Sequence, residues 1–167
     1  MCEAMCAAYA HEYGLPAKIV RLVMTFGPGI PYDDNRVCAE FMRRVIEKRD
    51  IILKTTGLTK RCYIYTSDAV SAILAVLLNG KAGHAYNAAN PATYCSIREM
   101  AEMVSREVSG GVTGVKLDLS QDSSMYPAPG FLKLNVSALE ALGWRPTLNL
   151  TDMYRRTIDY MLKLRKS

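Results

Sequence analysis

Hydrophobic positions in this chain switch between a helical and a strand period, and most switches fall at a glycine, a proline or a capping residue. Residues 1–13 read as a helix already under way at Met1, stopped by Gly14 and barred from resuming by Pro16. Ala17 to Val23 is a short β-rich strand, followed by a loop from Thr25 to Pro31 that holds two glycines and two prolines. Asp34 or Asn35 is expected to cap a second helix running to about Lys48, with Val37, Phe41 and Val45 on its apolar stripe. Ile51–Leu53 and Cys62–Tyr65 are strand candidates, with a turn at Thr55, Thr56 and Gly57 between them.

The third helix carries the clearest pattern. Val70, Ile73, Leu74, Leu77 and Leu78 recur at i, i+3, i+4, i+7 and i+8, which predicts a buried apolar face, and Gly80 ends the helix. Ala85–Ala88 reads as a strand running into Asn90 and Pro91. Ser96 and Glu99 form a capping box that opens a helix to about Val108. Val115–Leu119 is a strand, and Leu139 and Leu142 sit on a short helix stopped by Gly143. Asn149 is expected to cap a last helix whose inward stripe is Met153, Thr157 or Ile158, and Met161. The segment from Ser120 to Pro129 is the most loop-like. Strands alternating with helices at this spacing predict an α/β fold, and without a repeat or linker residues 1–167 read as a single domain. A chain that starts inside a helix is expected to belong to something longer.

Composition narrows the function classes. Half of the 167 residues are hydrophobic and 22% are charged, which is ordinary for a globular protein. No apolar run reaches the roughly 18 residues of a membrane span, and the N-terminus lacks the cationic start of a signal peptide. The five cysteines are scattered, with no C-x-x-C pair and only two histidines to assist them, which argues against structural zinc and for reduced thiols in a cytoplasm. Cys2 and Cys6 share a helical face and read as core packing. Nor do so few histidines supply a Cys/His or Ser/His/Asp nucleophile set. The net charge of +5 suits a phosphate-bearing ligand. A nucleic-acid role lacks its basic-aromatic stripe, because the tyrosines fall inside strand and helix patterns. The cluster Lys163, Arg165, Lys166 reads as the cationic end of the last helix, complementing its dipole.

An ordered set of landmarks then points further. These are Arg21-Leu22-Val23-Met24-Thr25-Phe26-Gly27-Pro28, the segment Asp33 to Val37, and Gly57 followed by Arg61-Cys62-Tyr63-Ile64-Tyr65-Thr66-Ser67-Asp68. Tyr86-Asn87, the capping box, Leu142-Gly143-Trp144-Arg145-Pro146 and the final amphipathic helix complete it. Together they span almost the whole chain, which resembles NAD-dependent epimerases/dehydratases. These are extended short-chain dehydrogenases that act on sugar nucleotides, and UDP-glucuronate decarboxylases and dTDP-glucose 4,6-dehydratases are the most similar. The resemblance implies the C-terminal portion of an extended Rossmann-type fold whose N-terminal dinucleotide-binding unit is missing. The 167 residues contain no G-x-G-x-x-G, and neither Tyr9 nor Tyr13 has a lysine four residues later to match the family's catalytic Tyr-x-x-x-Lys. No catalytic residue and no metal ligand is therefore expected in this chain. NAD is expected in the full-length parent but not to bind this chain tightly.

Retained site residues follow from the same resemblance. It implies that Arg61 contacts the nucleotide diphosphate, a role its planar, permanently charged fork suits. Arg36 and Val37 open the second helix beside base and phosphates, where an exposed helix N-terminus also favours anions. Met24 stands where many relatives carry an amide that hydrogen-bonds the sugar nucleotide; a thioether donates no hydrogen bond, so Thr25 or backbone groups would take over. The Val23–Met24 backbone is implied beside the nicotinamide ring. Asn87 is a ligand contact or a turn fastener. Lys133 lies near a second family phosphate site, with Leu132 as the competing equivalent. Asp68 is expected to cap the third helix with Ser67, and Trp144 to pack structurally. The resemblance also implies a homo-oligomer, a dimer through the first helix. Two readings follow: part of a sugar-nucleotide-modifying enzyme, inactive alone, or a stand-alone nucleotide-sugar-binding or assembly module.

Overall fold

The computed structural model describes residues 1–120 and 128–165. Most of the loop-like segment 120–129, and Lys166 of the cationic cluster, lie outside them. Among the described residues, helices α1 (Cys2–Tyr13), α2 (Val37–Glu47), α3 (Thr66–Asn79), α4 (Ile97–Met103), α5 (Ser137–Glu140) and α6 (Leu150–Leu164) alternate with eight strands. These are β1 (Ile19–Leu22), β2 (Met24–Phe26), β3 (Ile51–Leu53), β4 (Lys60–Tyr65), β5 (Ala85–Ala88), β6 (Asn90–Ser96), β7 (Val115–Leu117) and β8 (Phe131–Leu132). A π-helical turn, Val104–Val108, continues α4.

The strands form three small sheets. β1 pairs in parallel with β5, and β3 in parallel with β7. In the third, β4 is central: β6 runs antiparallel along one side, while β2 and β8 pair in parallel with its two ends. Short connections explain the β1–β2 break. Val23 donates its N–H to Ala88, the last residue beside β1, and the chain then crosses to β4. The strand thus continues through Phe26, and the loop begins at Gly27 rather than at Thr25 as expected. Thr and Phe suit a pleated, half-buried ladder, and Phe26 becomes core.

Several sequence expectations hold at the level of single hydrogen bonds. Gly14 ends α1 in the left-handed region, φ 65°. Ser96 and Glu99 form both halves of the capping box, at 3.0 and 2.7 Å. Asn149 caps α6 through the Asp152 N–H at 2.8 Å, and Met153, Thr157, Ile158 and Met161 are buried. Trp144 is buried and donates its indole N–H to Ser71.

Others are overturned. On α3 the expected stripe faces outward: Val70, Ile73, Leu74, Leu77 and Leu78 are 42–76% exposed. Asp68, Ala69, Ala72 and Val76 are the buried residues instead. This helix is apolar on two sides, and its small residues let it approach β1 and β5 closely. Asp68 does not cap it, since no side-chain cap bond is made. Its carboxylate accepts from Thr147 N–H (3.0 Å), Thr147 Oγ1 (2.7 Å) and Leu148 N–H (3.4 Å), tying α3 to the entry of α6. On α2 the buried face is Cys38, Ala39, Phe41 and Met42, so Val37 is not core. Neither Asp34 nor Asn35 caps that helix; Arg36 occupies the cap position and Asp34 accepts its N–H. Cys2 is exposed and Cys6 half-buried, because no residue of α1 is buried at all. The α1 pair is not core packing.

Candidate nucleotide-sugar pocket

A cavity of about 700 Å³ opens between the start of α2, the end of β3 and the first half of β4. Met24, Arg36, Val37 and Arg61 line it together, so four of the expected contacts converge although they lie up to 37 positions apart in the chain (61 − 24). Strand pairing does this. Met24 is level with Tyr63 on β2 and β4, and Arg61 lies one pleat back on the same face.

The anion-binding features differ among these residues. No side-chain cap covers the first turn of α2, and Asn35 to Cys38 line the cavity, so free N–H groups at a helix N-terminus border it. Arg36 is committed internally. Its guanidinium grips both oxygens of Asp34 at 2.9–3.1 Å and donates to Thr25 O at 2.9 Å. That hydrogen-bonded pairing, above all, holds the Asp34 carboxyl below its ordinary range. Arg36 therefore shapes the α2 entry more than it offers charge. Arg61 is exposed, and its guanidinium makes no hydrogen bond or ion pair among the described residues, leaving the fork available.

The remaining expected contacts lie elsewhere. Thr25 points away from Met24 by strand alternation and donates its hydroxyl to Val23 O at 3.0 Å. Asn87 donates to Asn135 O at 2.8 Å, while its side-chain oxygen is buried without a partner among the described residues. Lys133 sits over the Tyr94 ring, 5.6 Å from its centroid, and Leu132 rather than Lys133 is level with Arg61. Val23 uses both backbone polar groups internally, its N–H to Ala88 and its carbonyl from Thr25.

Sequence reasoning missed part of the lining: Cys38, Glu40, Lys54, Leu58 and Tyr63. The usable signal was alternation on β4, which puts Tyr63 on the Arg61 face, and the turn at Gly57. Gly57 has φ 69°, and a Cβ there would meet Arg98 Cβ at 3.0 Å, so that loop packs on the start of α4 only as glycine. Burial pushes the Cys38 thiol and the Tyr63 phenol up, and the half-buried Cys95 thiol up to about 11. These groups stay protonated, so Cys38 and Tyr63 add no charge of their own to the pocket wall.

The sequence profile of the NAD dependent epimerase/dehydratase family matches residues 1–89, and this chain belongs to that family. It is 29% identical over 161 residues to UDP-glucuronic acid decarboxylase 1 of Xenopus tropicalis, covering 96% of this chain and 37% of that protein. Its fold matches UDP-glucose 4-epimerase of Thermotoga maritima, solved with UDP-glucose, at TM-score 0.80 and 22% identity, covering 97% of this chain and 51% of that one. It also matches an NAD-bound dTDP-glucose 4,6-dehydratase of Streptomyces venezuelae at TM-score 0.75 and 21% identity, covering 98% and 49%. The chain thus spans about a third to a half of the length of these relatives. Its architecture is part of the extended Rossmann-type short-chain dehydrogenase fold. Among the described residues no helix is long and apolar enough to cross a membrane.

Proposed function

We propose that residues 1–167 form one substrate-binding domain of an NAD-dependent sugar-nucleotide epimerase, dehydratase or decarboxylase, and that this domain holds a nucleoside-diphosphate sugar in the α2–β3–β4 cavity. The observation that carries the reading is Arg61, whose guanidinium is uncommitted among the described residues and lines, with an uncapped helix N-terminus, a cavity of the right size. Diphosphate oxygens would sit between the two, and Val37 would pack beside the base. The cytoplasm is the expected compartment.

NAD as a whole does not fit this chain. No glycine-rich cradle is present in the sequence, and the backbone N–H of Val23, implied beside the nicotinamide, is already donated to Ala88 O. Incubated with NAD and a panel of sugar nucleotides, the chain should give no product by chromatography, because it has neither that cradle nor a Tyr-x-x-x-Lys. Robust turnover would refute this part of the reading.

The assembly reading is favoured by a separate observation. β1 pairs with β5 on one side, and among the described strands nothing pairs with its other edge. Beside it α1 exposes Met5, Tyr9 and Tyr13, and α3 its five-residue stripe. Parallel sheets are normally covered on both faces, and an unpaired edge is a template for another chain. Each large apolar side chain re-buried contributes about 1.5–3 kcal/mol, and several together exceed the roughly 4–15 kcal/mol cost of association. The isolated chain is expected to dimerise, in a symmetric form, through these elements. Light scattering after size exclusion should show mass falling towards the monomer only on dilution; a monomer at every concentration would contradict it.

A further inference from the structure

The hydrogen-bonding gap at Met24 has a neighbour able to fill it. Met24 and Tyr63 are register partners on adjacent parallel strands, and both line the cavity. Thr25, the other candidate, is spent on Val23 O and faces away. Tyr63 is only 3% exposed, yet its hydroxyl has no hydrogen-bond partner among the described residues. Tyr154, one layer deeper, also lacks a partner for its hydroxyl, but that group is sealed in the core.

Thr93 and Phe26 hold Tyr63 in place. Thr93, itself buried, accepts the Tyr63 N–H at 2.8 Å and donates to its carbonyl at 2.9 Å, closing the bulge between β4 and β6. Phe26 meets the Tyr63 ring edge-on at a centroid separation of 6.1 Å. A ring fixed this way loses little freedom when its hydroxyl binds a ligand. Tyr63 also stands two residues beyond Arg61, about 6–7 Å along the strand, which is close to the width of one pyranose ring.

We propose that the Tyr63 phenol hydrogen-bonds a hydroxyl of the sugar in a nucleoside-diphosphate sugar, supplying the polar contact that Met24 cannot make. The inference rests on the nucleotide-sugar reading above and assigns the sugar end of that site. A phenol both donates and accepts, matching a sugar hydroxyl, whereas a thioether only accepts, and weakly. Discrimination among sugars at this point then runs through one rigid phenol rather than a flexible amide.

The test uses calorimetric titration of the whole chain with UDP and with UDP-glucose. Tyr63→Phe keeps the ring packing and removes only the hydroxyl. UDP-glucose should bind about tenfold more weakly, with UDP within twofold of the original chain. Equal loss for both ligands, or none for either, would overturn the inference. A second series varies the ligand instead. UDP-glucose analogues deoxygenated at one sugar position at a time should include one that costs the original chain about tenfold and the Tyr63→Phe chain nothing. If no analogue behaves so, Tyr63 does not contact the sugar. Failure of the original chain to bind UDP at all is a different result, since it overturns the nucleotide-sugar reading itself and the Tyr63 contact with it.

Discussion

Titrated with UDP-glucose, the Arg61→Ala chain is expected to bind roughly 10- to 100-fold more weakly than the original, while Lys133→Ala stays within about twofold. Hydrogen bonds to a charged group contribute about 1.5–3 kcal/mol, and Arg61 lines the cavity with its guanidinium uncommitted. Lys133 is exposed, lies outside the cavity lining and sits over Tyr94. Arg61→Lys should recover only part of the loss, because an ammonium cannot make the paired contacts of a planar fork. Equal losses at 61 and 133 would show that the diphosphate lies nearer β8 than the α2 entry.

Asp68→Ala should give the largest stability effect, about 2–4 kcal/mol, read from denaturant unfolding. The carboxylate is 3% exposed and accepts three hydrogen bonds from Thr147 and Leu148. Its loss unties the chain at the entry to α6, whose inward face carries Met153, Tyr154 and Ile158 of the main core. For a domain of this size the melting temperature should fall by about 5–12 °C. Asp68→Asn, which keeps one acceptor oxygen, should cost about half as much. A change under about 0.5 kcal/mol for the alanine variant would mean that water replaces the carboxylate without loss.

Local chemistry explains which parts of this fold were legible in the sequence. Caps depend on residues three apart, so Ser96 with Glu99 and Asn149 with Asp152 were readable or nearly so. The left-handed stop at Gly14 was equally local. Burial on α2 and α3 was not, because it depends on what lies opposite. Helix α3 offers an apolar stripe on one side and a small-residue strip on the other, and periodicity alone favoured the larger side chains. Close approach to β1 and β5 selected Ala69, Ala72 and Val76. Asp68 was misread for the same reason, since its partners sit 79 and 80 positions away.

The site shows the same division. Arg61, Arg36, Val37 and Met24 were marked by their place in an ordered set of motifs, and the structure brings all four to one cavity. What the motifs could not convey is commitment. Arg36 spends its guanidinium on Asp34 and Thr25, whereas Arg61 spends none among the described residues, a difference set by a loop geometry with no sequence signature. Tyr63 escaped notice because an aromatic in a strand reads as core.

Hydrogen exchange of the chain with and without saturating UDP-glucose tests the proposed site most directly. Slower exchange is expected at the amides of residues 37–39, which start α2, and through 52–63 across the end of β3 and the first half of β4, with α1, β1 and α3 unchanged. No protection at saturating ligand, or protection confined to α1, β1 and α3, would contradict a nucleotide-sugar site in the α2–β3–β4 cavity.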